Sequence, residues 1–245
     1  MVRSLLAAVS LITRCPLGKF LPTERELQSC SNYFPVVGLL LGVLLYWPSY
    51  YAIAWFSPSA GGFLVLLMLE AVSGGFHLDG LADTADAFLS SRTRERKLEI
   101  MHDSHIGTMG VAAIVLVLLG KYSVLSMLPP WQVGASVLFC AFIGRFGITC
   151  YLLISRYARP NGLGKILYDR RPYGGVLVGL VLGLGMSFCF FGLNFLWILL
   201  PPLLFVVLWD RVCRMQIGGA TGDTIGACEQ LLELLVCFEM LYFFS

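Results

Sequence analysis

The stretch Gly74-Gly75-Phe76-His77-Leu78-Asp79-Gly80-Leu81-Ala82-Asp83-Thr84-Ala85-Asp86-Ala87-Phe88 sets three carboxylates at the end of a hydrophobic run. At about 100° per residue, Asp79, Asp83 and Asp86 share an arc of roughly 60° on one helical face, while His77 points the opposite way. Three anions held that close repel one another unless a cation sits among them. A hard divalent ion is the natural candidate, since Mg²⁺ prefers carboxylate oxygens and commonly shares its shell with phosphate. The preceding Gly74-Gly75 offers either a close helix contact or a local unwinding that bends the chain.

Elsewhere the chain avoids charge. Of its 245 residues, 58% are hydrophobic and only 13% charged, and the mean hydropathy of +0.80 is too high for a soluble domain of this length. The sequence therefore reads as an all-α, polytopic helical bundle in a lipid bilayer, forming one domain over residues 1–245. A net charge of +2, with no basic block interleaved with aromatics, excludes a nucleic-acid partner. The eight cysteines form no C-x-x-C pair and imply neither zinc nor redox chemistry.

Seven crossings are expected, at about Phe34–Phe56, Gly61–Leu78, Gly110–Leu128, Gln132–Ser155, Gly174–Phe191, Phe195–Trp209 and Ile225–Phe244. The sixth is the weakest, interrupted by Pro201-Pro202. The last carries Glu229, Glu233 and Glu239 and is expected to face a polar interior. Residues Met1 to about Arg14 are too short an apolar run to span and are expected to form an interfacial or re-entrant helix, followed by a surface segment from Thr23 to Asn32. Of 17 Lys and Arg, all but Lys121 and Arg145 fall in the N-terminal segment or in alternate loops at about 79–109, 156–173 and 210–224, which orients those loops toward the cytoplasm. Lys121 is expected to snorkel to the outer interface. Arg145 lies deeper and needs an anion, with Glu70 as one sensible partner.

Three further motifs share the cytoplasmic side with the aspartates. Met101-His102-Asp103-Ser104-His105-Ile106-Gly107-Thr108-Met109-Gly110 offers another carboxylate and phosphate-facing hydroxyls and amides, with helix capping as the plain alternative for Ser104 and Thr108. Tyr157-Ala158-Arg159-Pro160-Asn161-Gly162-Leu163-Gly164-Lys165 combines arginine with flexible glycines, which suits pyrophosphate, although topology alone also collects cations there. Arg214 leads into Gly218-Gly219-Ala220-Thr221-Gly222-Asp223-Thr224, whose Gly-Gly-x-x-x-Asp spacing repeats that of Gly74-Gly75 and Asp79. Its amides could seat a phosphate at a helix N-terminus, with Asp223 as a metal ligand or base, or the motif could simply be a helix-capping turn.

Taken together, Gly74-Gly75-x-His77-x-Asp79-Gly80-x-Ala82-Asp83-x-x-Asp86, Asp103-Ser104-x-x-Gly107-Thr108-x-Gly110, Tyr157-Ala158-Arg159-Pro160-x-Gly162-Leu163-Gly164 and Gly218-Gly219-x-Thr221-Gly222-Asp223-Thr224-x-Gly226-Ala227 resemble the cobalamin synthase family of adenosylcobinamide-GDP ribazoletransferases. The motifs occur in family order over nearly the whole chain. The resemblance implies a Mg²⁺-dependent integral enzyme of the prokaryotic cytoplasmic (inner) membrane. Its substrates would be adenosylcobinamide-GDP and α-ribazole or the 5′-phosphate, its products GMP and adenosylcobalamin or the 5′-phosphate.

On this reading Asp79, Asp83 and Asp86 hold the metal, and Asp86, Asp103 and Asp223 are the candidates to complete its shell or take the hydroxyl proton. Arg145, Arg159, Arg214, Ser104, Gly218, Gly219 and Thr221 are the candidates to bind substrate. Oligomeric state is open, a homo-oligomer included. Two rivals use the same residues. A CDP-alcohol phosphotransferase shares the chemistry, but its aspartate pattern carries an arginine just after the Asp-Gly-x-x-Ala start, where this chain continues into Asp83. An ion-coupled transporter would string Glu70, Lys121, Arg145 and Glu233 across the midplane.

Overall fold

The computed structural model describes residues 1–18, 20–159 and 162–244, and their regular structure is helical; the one β-bridge among them joins Tyr157 to Ala220. Eleven α-helices follow in chain order: α1 (Val2–Ile12), α2 (Glu24–Cys30), α3 (Phe34–Trp55), α4 (Pro58–Ser73), α5 (Phe76–Phe88), α6 (Arg94–Ile100), α7 (Thr108–Met127), α8 (Pro130–Ile154), α9 (Tyr173–Phe191), α10 (Leu196–Ile217) and α11 (Gly222–Phe244). Among the described residues, α3, α7, α8, α9 and α10 are long and apolar enough to cross a bilayer, and the bent pair α4–α5 makes a sixth if counted as one span. The 23 residues of α11 would reach about 34 Å at 1.5 Å per residue. The helix is more charged than those five long apolar helices because it carries Asp223, Glu229, Glu233 and Glu239. Helices lie on all seven expected stretches, but among the described residues five, or six with the bent pair, qualify as spans rather than seven; the second stretch, expected to reach Leu78, breaks after Ser73, and the sixth, α10, is longer than its proline-interrupted sequence suggested.

Helix α8 is apolar on every face and correspondingly sits at the centre, with every residue from Val133 to Leu152 buried. Glycines bring its neighbours in. A Cβ at Gly38 of α3 would lie 2.6 Å from the Ala141 carbonyl oxygen, and one at Gly42 would lie 2.8 Å from that of Leu138. This Gly-x-x-x-Gly pair lets the two backbones touch where lipid supplies no hydrophobic drive for association. On α9 the buried stripe is Gly175, Gly179, Gly183 and Ser187, while Leu177, Val181 and Phe188 project outward as a lipid-facing surface.

The N-terminal segment forms a short apolar helix packed on the bundle. At about 16 Å, α1 is too short to span, and it buries Ala7, Ala8 and Ile12 against the bundle while Arg3 pairs with Glu26 of α2. Thr23 and Glu26 cap α2 reciprocally, with the Thr23 amide donating to Glu26 Oε2 at 2.8 Å. The Arg14 amide then donates to the Val72 carbonyl at 2.8 Å, which fastens the end of this segment to the end of α4.

Both intramembrane cations are buried and paired. Lys121 does not snorkel: its Nζ lies 2.8 Å from Glu70 Oε1, 2.7 Å from Gln230 Oε1 and 2.6 Å from Glu233 Oε2. Arg145 is not paired with Glu70. Its Nη1 faces Glu233 and lies 2.5 Å from Glu229 Oε1. Glu229 Oε2 in turn lies 3.1 Å from His77 Nδ1. A continuous polar chain therefore joins α4, α7, α11 and α8 to the first turn of α5. Removing one partner of a buried pair strands the other's charge, at a cost of about 3–5 kcal/mol. Arg145→Met should accordingly lower the thermal-unfolding midpoint in detergent steeply. A midpoint equal to that of the unaltered protein would show that the network does not hold the bundle.

Candidate active site

The aspartates do not prolong α4. Gly74 and Gly75 both take left-handed conformations, with φ of 61° and 78°, and the helix axis turns by 87° between α4 and α5. Such φ values are cheap for glycine and costly for residues with a Cβ. The turn lays the Asp79–Asp86 face along a separate helix that departs steeply from the axis of α4. Arg14 covers the outside of this bend, packed so closely over Gly74 that a side chain there would collide with it.

The repeated Gly-Gly-x-x-x-Asp spacing has a structural counterpart, because Gly74-Gly75 leads into α5, Gly218-Gly219 leads into α11, and the two helices pack together on glycine. A Cβ at Gly80 would stand 2.7 Å from the Asp223 carbonyl oxygen, and one at Gly226 would stand 3.1 Å from His77 Cα. This contact brings Asp223 beside the aspartate face of α5.

Arg159 is delivered to the same place by a short backbone crossing. The Ala220 amide donates to the Arg156 carbonyl at 2.7 Å, and the Ala158 amide donates to the Ala220 carbonyl at 2.8 Å. Gly219 sits under Arg156, where a side chain would strike the carbonyl. Arg159 Nη2 then lies 3.4 Å from Asp223 Oδ2 and 3.5 Å from the Leu98 carbonyl, and its buried Nε has no partner among the described residues. Thr221 Oγ1 donates to Asp223 Oδ2 at 3.2 Å, while the Thr221 amide donates to Thr224 Oγ1 at 2.9 Å. Thr221 thus serves as a helix cap and orients Asp223.

Electrostatics mark the centre of the group. Asp83, half-buried on α5, is pushed up to about 7, first by loss of water and then by the charges of Asp79, Asp223 and Asp86, with Arg159 opposing. Carboxylates that raise one another in this way have the chemistry of a hard-cation ligand set. Among the described residues, however, no three His, Cys, Asp or Glu side chains already converge closely enough to form a metal-binding group.

Asp86 has a different employment. Its Oδ2 accepts from the Gly107 amide at 2.7 Å and its Oδ1 from the Gly110 amide at 2.9 Å, which anchors the N-terminus of α7 and sets its negative charge at the positive end of that helix. The glycines of the Asp103–Gly110 motif are needed here, since a Cβ at Gly110 would come within 2.5 Å of Asp86 Oδ2.

The remaining candidates fall in three places. Asp103 is exposed and lies 2.6 Å from His105 Nδ1, and the hydrogen bonds from His105 hold its carboxyl below the usual range; neither it nor the exposed Ser104 makes a contact with Asp79, Asp83 or Asp223. Arg145 is sealed in the ion-pair network and cannot reach a substrate, which corrects its assignment to pyrophosphate. Arg214 is committed to Asp210 at 2.7 Å and to the Ile154 carbonyl at 2.8 Å, tying α10 to the end of α8. Pro160 and Asn161 of the arginine-glycine motif lie outside the described residues.

Sequence reasoning passed over Arg94, which it counted only as a topological charge. Its guanidinium lies directly over Gly218, whose φ of 80° and missing side chain make the room. The available signal was the Thr93 cap, which places Arg94 in the first turn of α6, where the helix dipole disfavours a cation that has no other task.

The chain matches the family described as Cobalamin-5-phosphate synthase over residues 4–241. It is 35% identical over 249 residues to the adenosylcobinamide-GDP ribazoletransferase of Klebsiella pneumoniae (strain 342), covering 98% of this chain and 100% of that protein. Against the protein of the same name from Pseudomonas putida (strain KT2440) the identity is 41% over 220 residues, 88% of each chain. For that from Clostridium novyi (strain NT) it is 30% over 247 residues, 99% of this chain and 98% of the other. No solved structure matches. With four motifs in order, a helical membrane bundle around them and a match over almost the full length, the chain belongs to the cobalamin-5-phosphate synthase family.

Proposed function

We propose that this protein transfers the adenosylcobinamide-phosphate group of adenosylcobinamide-GDP to α-ribazole or its 5′-phosphate, releasing GMP. The observation that carries the reading is the meeting of two glycine-led helices, which puts Asp79, Asp83 and Asp223 beside Arg159 at one end of a membrane bundle. A ribose hydroxyl of the acceptor attacks the phosphorus nearer cobinamide. A P–O bond forms there, the bond to the bridging oxygen breaks, and that oxygen leaves with GMP. Protein catalysis of such a step is mainly positioning and neutralisation of charge.

Arg159, with its unpartnered Nε, and Arg94 over Gly218 are suited to the pyrophosphate oxygens, because guanidinium forks match them. Asp79, Asp83 and Asp223 would hold Mg²⁺, which when bound supplies positive charge to the phosphate oxygens. Asp86 and Asp103 are poorly suited to take the hydroxyl proton: both oxygens of the first accept amide hydrogens, and the second is stabilised as an anion by His105. That leaves the Asp79, Asp83 and Asp223 cluster to supply both the metal ligands and the proton acceptor.

The distribution of Lys and Arg supports a prokaryotic cytoplasmic membrane with the site on the cytoplasmic side. Although Glu70, Lys121, Arg145 and Glu233 do meet as a transporter relay would require, each is locked to an opposite charge in a closed bundle. Their arrangement supports scaffolding over transport.

Proteoliposomes given adenosylcobinamide-GDP, α-ribazole and Mg²⁺ should release GMP, and folded protein that releases none would remove the reaction. Asp79→Asn and Asp83→Asn should each lower turnover at least about 100-fold, or about 2.7 kcal/mol of transition-state stabilisation, without loss of membrane insertion; near-normal rates at saturating Mg²⁺ would exclude both as essential ligands. Ser90→Cys, just beyond α5, should react with an impermeant thiol reagent from the cytoplasmic side, and labelling from the outside alone would reverse the orientation.

A further inference from the structure

Behind the acidic face of α5 lies a cavity of about 600 Å³. Its walls come from the end of α1, the α4–α5 bend, α8, the turn at residues 163–168 and the first turns of α11. The surface is largely apolar, with Phe34, Ile148, Ile166, Leu167 and Ile225 among the lining residues. Most hydroxyls on its rim are already spent on their own helices: Ser10 Oγ donates to the Ala7 carbonyl, Thr13 Oγ1 to that of Val9 and Ser73 Oγ to that of Glu70. What remains is an apolar chamber with a cation, Arg14, and an imidazole, His77, on one wall.

The chamber adjoins the reacting groups. Gly222 lines it and is the residue before Asp223, and a side chain at Gly222 would project into open space. Gly162 also lines it, three residues beyond Arg159. A molecule lodged there could extend a polar end past Gly222 to the Asp223–Arg159 pair. The volume falls within the roughly 300–1,000 Å³ typical of sites that enclose a small organic ligand. A corrin ring with its side chains is too large and too polar to be enclosed there. An aromatic nucleoside matches on both counts, because its flat base is apolar and its ribose is the part that must face the carboxylates.

Building on the proposed reaction, we infer that this cavity is the acceptor site, which encloses the benzimidazole base of ribazole and directs its ribose past Gly222 toward Asp223 and Arg159. The donor then approaches from the opposite, open side, over Asp79, Asp83 and Arg94. The division explains why α1 is built into the enzyme although it makes no crossing: its last turn closes the acceptor chamber.

Two substitutions fill the chamber from different directions, Gly222→Leu at its mouth and Ile166→Trp from the 163–168 turn. Binding of α-ribazole alone to the full-length protein in nanodiscs, measured calorimetrically without donor, should weaken at least about tenfold in either variant. In turnover the KM for α-ribazole should rise by a similar factor while the KM for adenosylcobinamide-GDP stays within about twofold. Unchanged α-ribazole affinity in a folded variant would overturn the assignment, as would a rise confined to the donor KM, or a cavity that retains phospholipid and takes up no α-ribazole. Unaltered protein that binds α-ribazole and loses it on Gly222→Leu, yet releases no GMP, would defeat the reaction and leave the chamber standing.

Discussion

Two cations that cannot leave the membrane set the terms for this structure. Lys121 and Arg145 sit on α7 and α8 with no route to water, so their charge must be met inside the bundle. Glu233 meets both, Glu70 and Gln230 also bind Lys121, and Glu229 also pairs with Arg145. Ridges of leucine and valine can slide past one another, whereas these pairings fix the rotation and depth of each helix. The remaining oxygen of Glu229 reaches His77, and through it the scaffold extends to the helix that carries Asp79, Asp83 and Asp86. The opposite faces of α5 therefore have opposite duties: His77 looks into the bundle and the aspartates look out.

Much of this was legible in the residues. Hydropathy located the crossing helices, the arginines picked out one side, and the common spacing of the two Gly-Gly-x-x-x-Asp segments foreshadowed two helices that meet. The bend at Gly74-Gly75 was legible as one of two options, and its angle was not, because it depends on α11 and Arg14 packing against it. Pairing was the hardest to read. Arg145 resembles a ligand-binding residue in sequence because its anions, Glu229 and Glu233, lie 84 and 88 residues away, and helix–helix rotation decides which carboxylate it finds. Asp86 looked equivalent to Asp79 and Asp83 on a helical wheel. It differs because the α7 N-terminus happens to end against it, a fact written in Gly107 and Gly110 rather than near Asp86. Arg94 was hidden among the other cations of its loop, where it counted only as one more positive charge.

Small residues carry a second constraint. At Gly38, Gly42, Gly80, Gly219 and Gly226 the neighbouring backbone occupies the volume a side chain would need. In the bundle this closeness replaces a hydrophobic drive that lipid cannot provide. At the site it sets the separation of α5 from α11, and hence of Asp83 from Asp223, by direct backbone contact. Few other devices hold repelling carboxylates together before a counter-charge arrives.

The attachment of Arg14 to Val72, and of its side chain to Gly74, also bears on how the molecule is made. Residues 10–14 emerge from the ribosome well before the segment they dock on, and the chamber they close takes its far wall from residues 222–226, near the end of synthesis. During elongation α1 therefore has α2 and α3, which follow it directly, to pack against before its later partners arrive. The chamber becomes a defined volume only when the last helix is inserted, so a chain arrested before α11 retains α5 and its aspartates but has nowhere to hold a nucleoside.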